Sequence, residues 1–132
     1  ILEKFITKKN LGELFDAPYD VYFDNENVVQ PDLLFISKDS LHIIGEKNVH
    51  GAPDLVIEII SENSAYRDMV QKKKLYAKFG VKEYWVVIPE GEEIEIYTLK
   101  DKTFQLYKTY GKDNTLESSL LEGLKIGLID IF

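Results

Sequence analysis

Two acidic residues lie in segments that are otherwise apolar. Glu58 stands inside LVIEII (residues 55–60), a run of β-branched residues that is typical of a strand buried on both faces. A carboxylate there is costly unless it is paired, hydrogen-bonded or metal-bound. Asp32 opens the apolar part of QPDLLFI (residues 30–36). Two simpler explanations stay open: Glu58 reaches water or a helix N-terminus at the end of the sheet, and Asp32 marks an ordinary Pro-Asp strand start.

Asp54 resembles Asp32, because it also follows a proline and precedes an apolar run. Along one strand, Asp54 and Glu58 would lie ~13 Å apart, too far for both to chelate one ion easily. Asp32 on a neighbouring strand could lie roughly 5 Å from Glu58 if the register allows. We therefore expect Asp32 and Glu58 to be the metal-binding pair, and Asp54 to be a supporting or capping residue.

Lys72 is selected by helical periodicity from the run Lys72–Lys74. Apolar residues recur at 65, 69, 76 and 79, and position 72 fills the gap in that stripe. The side chain of Lys72 should thus face the sheet. The alternative is that its stem packs while its ammonium group reaches water. Lys73 and Lys74 are expected to be solvated.

Two carboxylates with a lysine directed at them would suit Mg²⁺ or Mn²⁺, which prefer oxygen ligands. Such an ion polarises a phosphoryl oxygen and helps to make hydroxide from water, and a lysine can stabilise the developing negative charge. This combination predicts hydrolysis of phosphodiester bonds.

The elements that must position these residues follow from hydrophobic patterning. A strand, a helix of about 16 residues and a second apolar strand predict a βαβ-like unit with a parallel pair. The fold class is α/β (an α+β mixed sheet): a central mixed β-sheet flanked by helices, with a C-terminal β-hairpin. The predicted elements are a helix end in residues 1–14, strands 19–24, 28–37, 53–61 and 83–89, a polar loop 38–51, a helix 63–79, a hairpin 93–99 and 103–110, and a short strand or capping segment 124–132.

Composition indicates one globular domain over residues 1–132. The chain has no cysteine, which excludes disulfide scaffolds and thiolate zinc sites and fits a reducing, cytoplasmic compartment. No apolar run is long enough to span a membrane. The net charge of −7 argues against a simple nucleic-acid-binding module, although bound cations can supply local positive charge. The first residue is Ile, so we expect a native N-terminal segment to be missing.

Three strings carry a family resemblance: VVQPDLLFIS, GAPDLVIEIIS and RDMVQKKKLYAKFGVKEYWVVIP, with LLEGLKIGL further on. Together they resemble the Uma-two family of restriction-endonuclease-like proteins, within the PD-(D/E)XK nuclease-like superfamily. The resemblance implies a restriction-endonuclease-like core, DNA as partner and Mg²⁺ or Mn²⁺ as cofactor. Asp32 would match the metal-binding Asp of the family and Glu58 the acidic residue of its (D/E)XK strand.

The lysine of that motif would fall at position 60, which is Ile60 here. The resemblance implies that its work is transferred to Lys72 on the following helix. Asp54 and Tyr76 also match family positions. Two other functions stay open: a catalytically inactive nuclease-fold domain for interaction or dimerisation, and a hydrolase acting on a smaller phosphate substrate. Both the nuclease and the inactive nuclease-fold domain could form a homodimer.

Overall fold

The computed structural model describes residues 2–61 and 66–132, without the side chains of residues 66–68. Within these residues the chain forms two α-helices and eleven strands, with short 3-10 turns at 38–43 and 128–130. The helices are α1 (Leu2–Lys8) and α2 (Tyr66–Lys78). The strands are β1 (Gly12–Asp16), β2 (Asp20–Tyr22), β3 (Val28–Val29), β4 (Leu33–Ser37), β5 (Asn48–His50), β6 (Leu55–Ile59), β7 (Glu83–Ile88), β8 (Glu93–Lys100), β9 (Thr103–Gly111), β10 (Thr115–Leu116) and β11 (Ile126–Gly127).

The central sheet has the strand order β1-β4-β6-β7-β8-β9 in the described part of the chain. Strands β6 and β7 pair in parallel, and the other neighbours in this sheet pair antiparallel. A parallel pair needs a crossover connection, and α2 lies in the segment that joins these two strands. The mixed sheet, the βαβ unit and the C-terminal hairpin predicted from the sequence are therefore confirmed.

The two faces of the sheet are covered by different elements. Along β6, Val56 packs against α2 in a cluster with Tyr76 and Ala77. Leu55 and Ile57 point to the opposite face and pack against α1 and the C-terminal residues. Glu58 belongs to the same face as Val56, because successive strand residues point to opposite faces. The strand therefore directs its one carboxylate towards α2.

A second, three-stranded sheet (β3-β2-β5) packs beside the central one. Val21 and Val49 from this small sheet join Leu34 and Ile36 of β4 in a buried cluster. The sequence predicts a polar loop over residues 38–51, whereas the structure contains β5 within that segment. Its parallel pairing with β2 is non-local and leaves little trace in a three-residue pattern.

Other boundaries differ from the prediction for similar reasons. The strand predicted over 28–37 is divided into β3 and β4, which pair in different sheets on either side of Pro31. In the segment 1–14 the helix ends at Lys8, and β1 begins at Gly12 because it pairs with β4. Residues 63–65 of the predicted helix lie outside the described part. None of the described helices has the length and apolar character required to cross a bilayer.

Asp54, directly before β6, ties three segments together. Its Oδ2 accepts a hydrogen bond from the Ser37 backbone N–H at 2.6 Å, and its Oδ1 lies 3.0 Å from Lys82 Nζ. Its backbone carbonyl accepts hydrogen bonds from the N–H groups of Lys82 and Glu83. The carboxylate is buried, so it needs these partners. Of the two roles expected for Asp54, these contacts agree with capping.

Glu83 is a buried carboxyl that no sequence pattern marks. It is 1% exposed at the start of β7. The Ser118 hydroxyl donates to its Oε2 at 2.6 Å, and the Ser119 hydroxyl donates to Oε1 at 3.3 Å. Burial raises the pKa of Glu83, and the hydrogen bonds from the two serines oppose that rise. This cluster fastens the segment before β11 to the central sheet.

Replacing Asp54 should destabilise the chain. Asp54→Ala leaves the Ser37 N–H without its acceptor, so we expect a loss of about 1–3 kcal/mol in the free energy of unfolding. Asp54→Asn keeps an oxygen acceptor and should lose less. Urea titration of both variants measures the difference. An Asp54→Ala chain within about 0.5 kcal/mol of wild type would contradict this role.

Glu83 should make stability depend on pH. Its folded pKa is raised, so the folded chain holds the proton more tightly than the unfolded chain does. Stability from this group is present below the ordinary carboxyl pKa and is lost as pH rises through the raised folded value. Glu83→Gln removes this loss, worth about 1.4 kcal/mol for each tenfold difference in proton affinity. Urea titrations should show that the free energy of unfolding of Glu83→Gln, relative to wild type, is higher at pH 8 than at pH 5. The same difference in stability at both pH values would contradict this role of Glu83.

Candidate functional site

Asp32 and Glu58 face each other across two neighbouring antiparallel strands. The register pairs Leu33 of β4 with Ile57 of β6, which places the next residues, Asp32 and Glu58, opposite each other. Two hydrogen bonds fix the arrangement: the Asp32 N–H donates to Glu58 Oε1 at 3.3 Å, and the Ile59 N–H donates to Asp32 Oδ2 at 2.7 Å. The pair predicted from the sequence is thus brought together, on the face that α2 covers.

Lys72 reaches this pair from α2. Its Nζ lies 3.1 Å from Glu58 Oε2, a distance at which the two groups form an ion pair and a hydrogen bond. The Glu58 side chain is 7% exposed and that of Lys72 is 35% exposed. The lysine therefore contacts the buried carboxylate while remaining open to solvent. This placement agrees with the stripe from which periodicity selected Lys72.

The charge on Glu58 is held in an unfavourable environment. Burial raises the pKa of Glu58, and the nearby Asp32 carboxylate raises it further, while the Lys72 ammonium group lowers it. Two negative groups at one strand junction repel each other unless positive charge lies between or beside them. The junction is therefore a place where an additional cation would be stabilised.

Tyr76 lies one helical turn beyond Lys72 and is fully buried. Its ring contacts those of Tyr84 and Phe23 edge-on, at centroid distances of 5.3 and 6.0 Å. Burial raises the pKa of its hydroxyl, and the negative charge of Glu58 adds to that rise. Among the residues that the structure describes, its hydroxyl oxygen has no hydrogen-bond partner. Tyr76 thus packs α2 onto the sheet beside the acidic pair.

Two other positions compared with the family motif, the matching Asp54 and the departing Ile60, have different surroundings. Asp54 is at the opposite end of β6, and its carboxylate contacts Ser37 and Lys82 rather than the acidic pair. Ile60 follows the end of β6, where its side chain packs with the cluster beneath α2 and its N–H donates to the Val87 carbonyl. An aliphatic residue at this position supplies no charge. Lys72 is the lysine that reaches Glu58.

Lys73 departs from the expectation that it is solvated. Its side chain is half-buried, and its Nζ lies over the Tyr97 ring, 3.7 Å from the centroid. Lys74 is exposed, as expected. The contact of Lys73 with Tyr97 depends on how α2 crosses the hairpin. Tyr97 lies in β8, where apolar and polar residues alternate, but this local pattern does not show which lysine of α2 would contact its ring.

The donor set at the β4–β6 junction consists of carboxylate oxygens. Asp32 Oδ1 accepts no hydrogen bond from the described residues, whereas Asp32 Oδ2 and both oxygens of Glu58 have the partners given above. Over residues 2–61 and 66–132 no group of three or more His, Cys, Asp or Glu side chains is arranged to hold a metal ion. Two carboxylates nevertheless suit Mg²⁺, which is usually bound by one or two carboxylates and keeps several waters.

The fold is similar to that of a solved structure described as a "putative nuclease belonging to DUF820" from Anabaena variabilis ATCC 29413. The TM-score is 0.77 at 15% sequence identity, and the alignment covers 99% of this chain and 73% of that one. At this identity the likeness concerns the fold. No curated protein matches the sequence.

The sequence itself matches a family over almost its whole length. The Uma2 family, described as "Putative restriction endonuclease", matches residues 1–129 of the 132. The match spans both carboxylates of the β4–β6 junction and the helix that carries Lys72. The chain therefore belongs to the Uma2 family.

Proposed function

We propose that the chain is a metal-dependent endonuclease that hydrolyses phosphodiester bonds of DNA. In this proposal Asp32 and Glu58 bind Mg²⁺ or Mn²⁺, and Lys72 assists. The observation that carries it is the meeting of two carboxylates and a lysine at one strand junction, with Lys72 Nζ 3.1 Å from Glu58. Membership of a nuclease family supports the reaction class.

The residues of the junction fit a hard divalent cation. Both acidic side chains offer oxygen, the ligand atom that Mg²⁺ and Mn²⁺ prefer. The backbone N–H groups of Asp32 and Ile59 each hold one carboxylate oxygen, so the two groups keep their orientation. A bound cation would also offset the repulsion and burial that raise the pKa of Glu58.

Each residue then has a separate part in the reaction. When bound, the metal polarises a phosphoryl oxygen and makes water a stronger nucleophile at neutral pH. Asp32 and Glu58 would hold it at the sheet. Lys72, part-exposed beside Glu58, provides a positive charge for the negative charge that grows on the phosphoryl group. Tyr76 supports the site by packing α2 against the sheet, and Asp54 stabilises the far end of β6.

The alternative function, an inactive domain for interaction or dimerisation, predicts no charge coupling between Lys72 and Glu58. The structure instead contains an ion pair between these two residues. One feature would serve an interaction: an apolar cleft of about 270 Å³ on the other face of the sheet, which includes Ile59, Trp85 and Ile131. Light scattering would detect self-association through it.

Calorimetric titration with Mn²⁺ tests the metal site directly. Glu58→Ala and Asp32→Ala each remove a ligand, so we expect affinity to fall by about 10-fold or more, given that even outer ligand-shell changes cost 10–100-fold. Asp113→Ala, which removes an exposed carboxylate, is the matched control and should bind as wild type does. Wild-type chain without measurable binding at millimolar Mn²⁺ would refute the site.

Lys72 should affect cleavage more than metal binding. Lys72→Met removes the positive charge, and we expect plasmid cleavage in Mn²⁺ to slow by on the order of 10²-fold, with partial rescue by Lys72→Arg. Because Lys72 lowers the pKa of Glu58, its removal should also move the pH midpoint of Mn²⁺ binding upwards. An unchanged cleavage rate together with an unchanged midpoint would exclude this role.

A further inference from the structure

A second cationic surface lies on the other flank of α2. A cleft of about 590 Å³ separates α2 from the start of β9. Three lysines contribute to it, two from the helix and one from the turn of the β8–β9 hairpin. Its lining residues are Val70, Lys73, Lys74, Ala77, Lys102, Thr103 and Phe104.

The charge of this cleft is opposite to that of the chain as a whole. The net charge is −7, yet no carboxylate is among the described residues that line the cleft. Within the described ranges, none of the ammonium groups of Lys73, Lys74 and Lys102 forms an ion pair. Three like charges gathered without a counterion are unfavourable, so the cleft is suited to an anionic ligand.

One of the three lysines is held by a side-chain contact, and another has its backbone fixed in a tight turn. Lys73 lies over the Tyr97 ring, a cation–π contact that holds its ammonium group on the cleft side of α2. Lys102 occupies the hairpin turn with Asp101, and both residues have positive φ, 63° and 52°. These are the angles of the tight turns that close two-residue hairpins. Thr103, next to Lys102, adds a hydroxyl donor.

The cleft and the acidic pair are related through α2. Lys72 and Lys73 are neighbours in the helix but reach opposite flanks, Lys72 to Glu58 on β6 and Lys73 to Tyr97 on β8. A helix with its side chains is about 10–12 Å across. Each strand of a duplex carries one phosphate per ~3.4 Å of duplex axis, so consecutive phosphates are spaced more closely than the width of α2. A strand crossing α2 would therefore place phosphates at both flanks.

We propose that the cleft between α2 and the β8–β9 hairpin binds backbone phosphates of a DNA strand through Lys73, Lys74 and Lys102, and so positions the strand whose bond is cut beside Asp32 and Glu58. This inference rests on the proposed nuclease function, which supplies the polyanionic substrate. It assigns DNA affinity to a surface separate from the catalytic residues. Phosphate contacts of this kind carry no sequence information, so binding here is independent of sequence.

The test is the affinity of a fluorescein-labelled 20-base-pair duplex, measured by anisotropy in EDTA so that the metal site does not contribute. Lys73→Gln/Lys74→Gln/Lys102→Gln should bind on the order of 10-fold more weakly, and the slope of log K against log salt should shrink by about 2–3. A control with the same charge, Lys4→Gln/Lys47→Gln/Lys125→Gln, alters exposed lysines elsewhere and should keep the wild-type slope. The triple Lys→Arg variant at the cleft should retain binding, because it keeps the charges.

Equal weakening of the cleft and control variants would overturn the inference, as would a wild-type chain that binds no duplex. Loss of binding in the Lys→Arg variant would also count against it, since that result points to packing rather than charge. Cleavage in Mn²⁺ separates the two proposals. If wild type cuts DNA but the cleft variant keeps the wild-type salt slope, only the proposed role of the cleft is refuted. If the cleft variant loses slope as expected but wild type does not cut DNA, only the proposed hydrolysis is refuted.

Discussion

The approach of two carboxylates across β4 and β6 is the constraint on which the rest of the site depends. Asp32 and Glu58 are held on one face by the strand register and by hydrogen bonds from backbone N–H groups, so they cannot move apart to relieve their repulsion. Burial makes that repulsion more costly. Positive charge must therefore be supplied locally, and Lys72 supplies one part of it. The proposed divalent cation would offset the charge that remains.

The helix that supplies Lys72 is itself required by the topology. Strands β6 and β7 are parallel, so the chain must cross from one end of the sheet to the other between them, and α2 lies on that crossover. Buried Tyr76 and Ala77 fix the side of α2 that faces the sheet. This orientation leaves Lys72 on the flank of β6 and Lys73 on the flank of β8. The same packing thus serves the acidic pair and the cationic cleft.

The two ends of β6 differ in how their carboxylates are compensated. At one end of β6, Glu58 faces Asp32 in an arrangement with unfavourable charge; at the other end, Asp54 has its partners Ser37 and Lys82. On the opposite face, Glu83 and Ser118 attach the C-terminal part of the chain to the start of β7. These contacts form a framework that keeps the unfavourable charge pair in place.

The sequence by itself determined the features that depend on local patterning. Its apolar runs indicated β6 and β7, its alternation indicated the hairpin, and its 3.6-residue period selected Lys72 from three adjacent lysines. It also marked Asp32 and Glu58 as acidic residues in apolar surroundings, and family membership agrees with the resemblance in its motifs. Only the tertiary structure decided which strands are neighbours and in what register. Short strands such as β1 and β5, the burial of Glu83 beside Ser118, and the placing of Lys73 over Tyr97 all depend on partners distant in sequence, and a local pattern holds no record of distant partners.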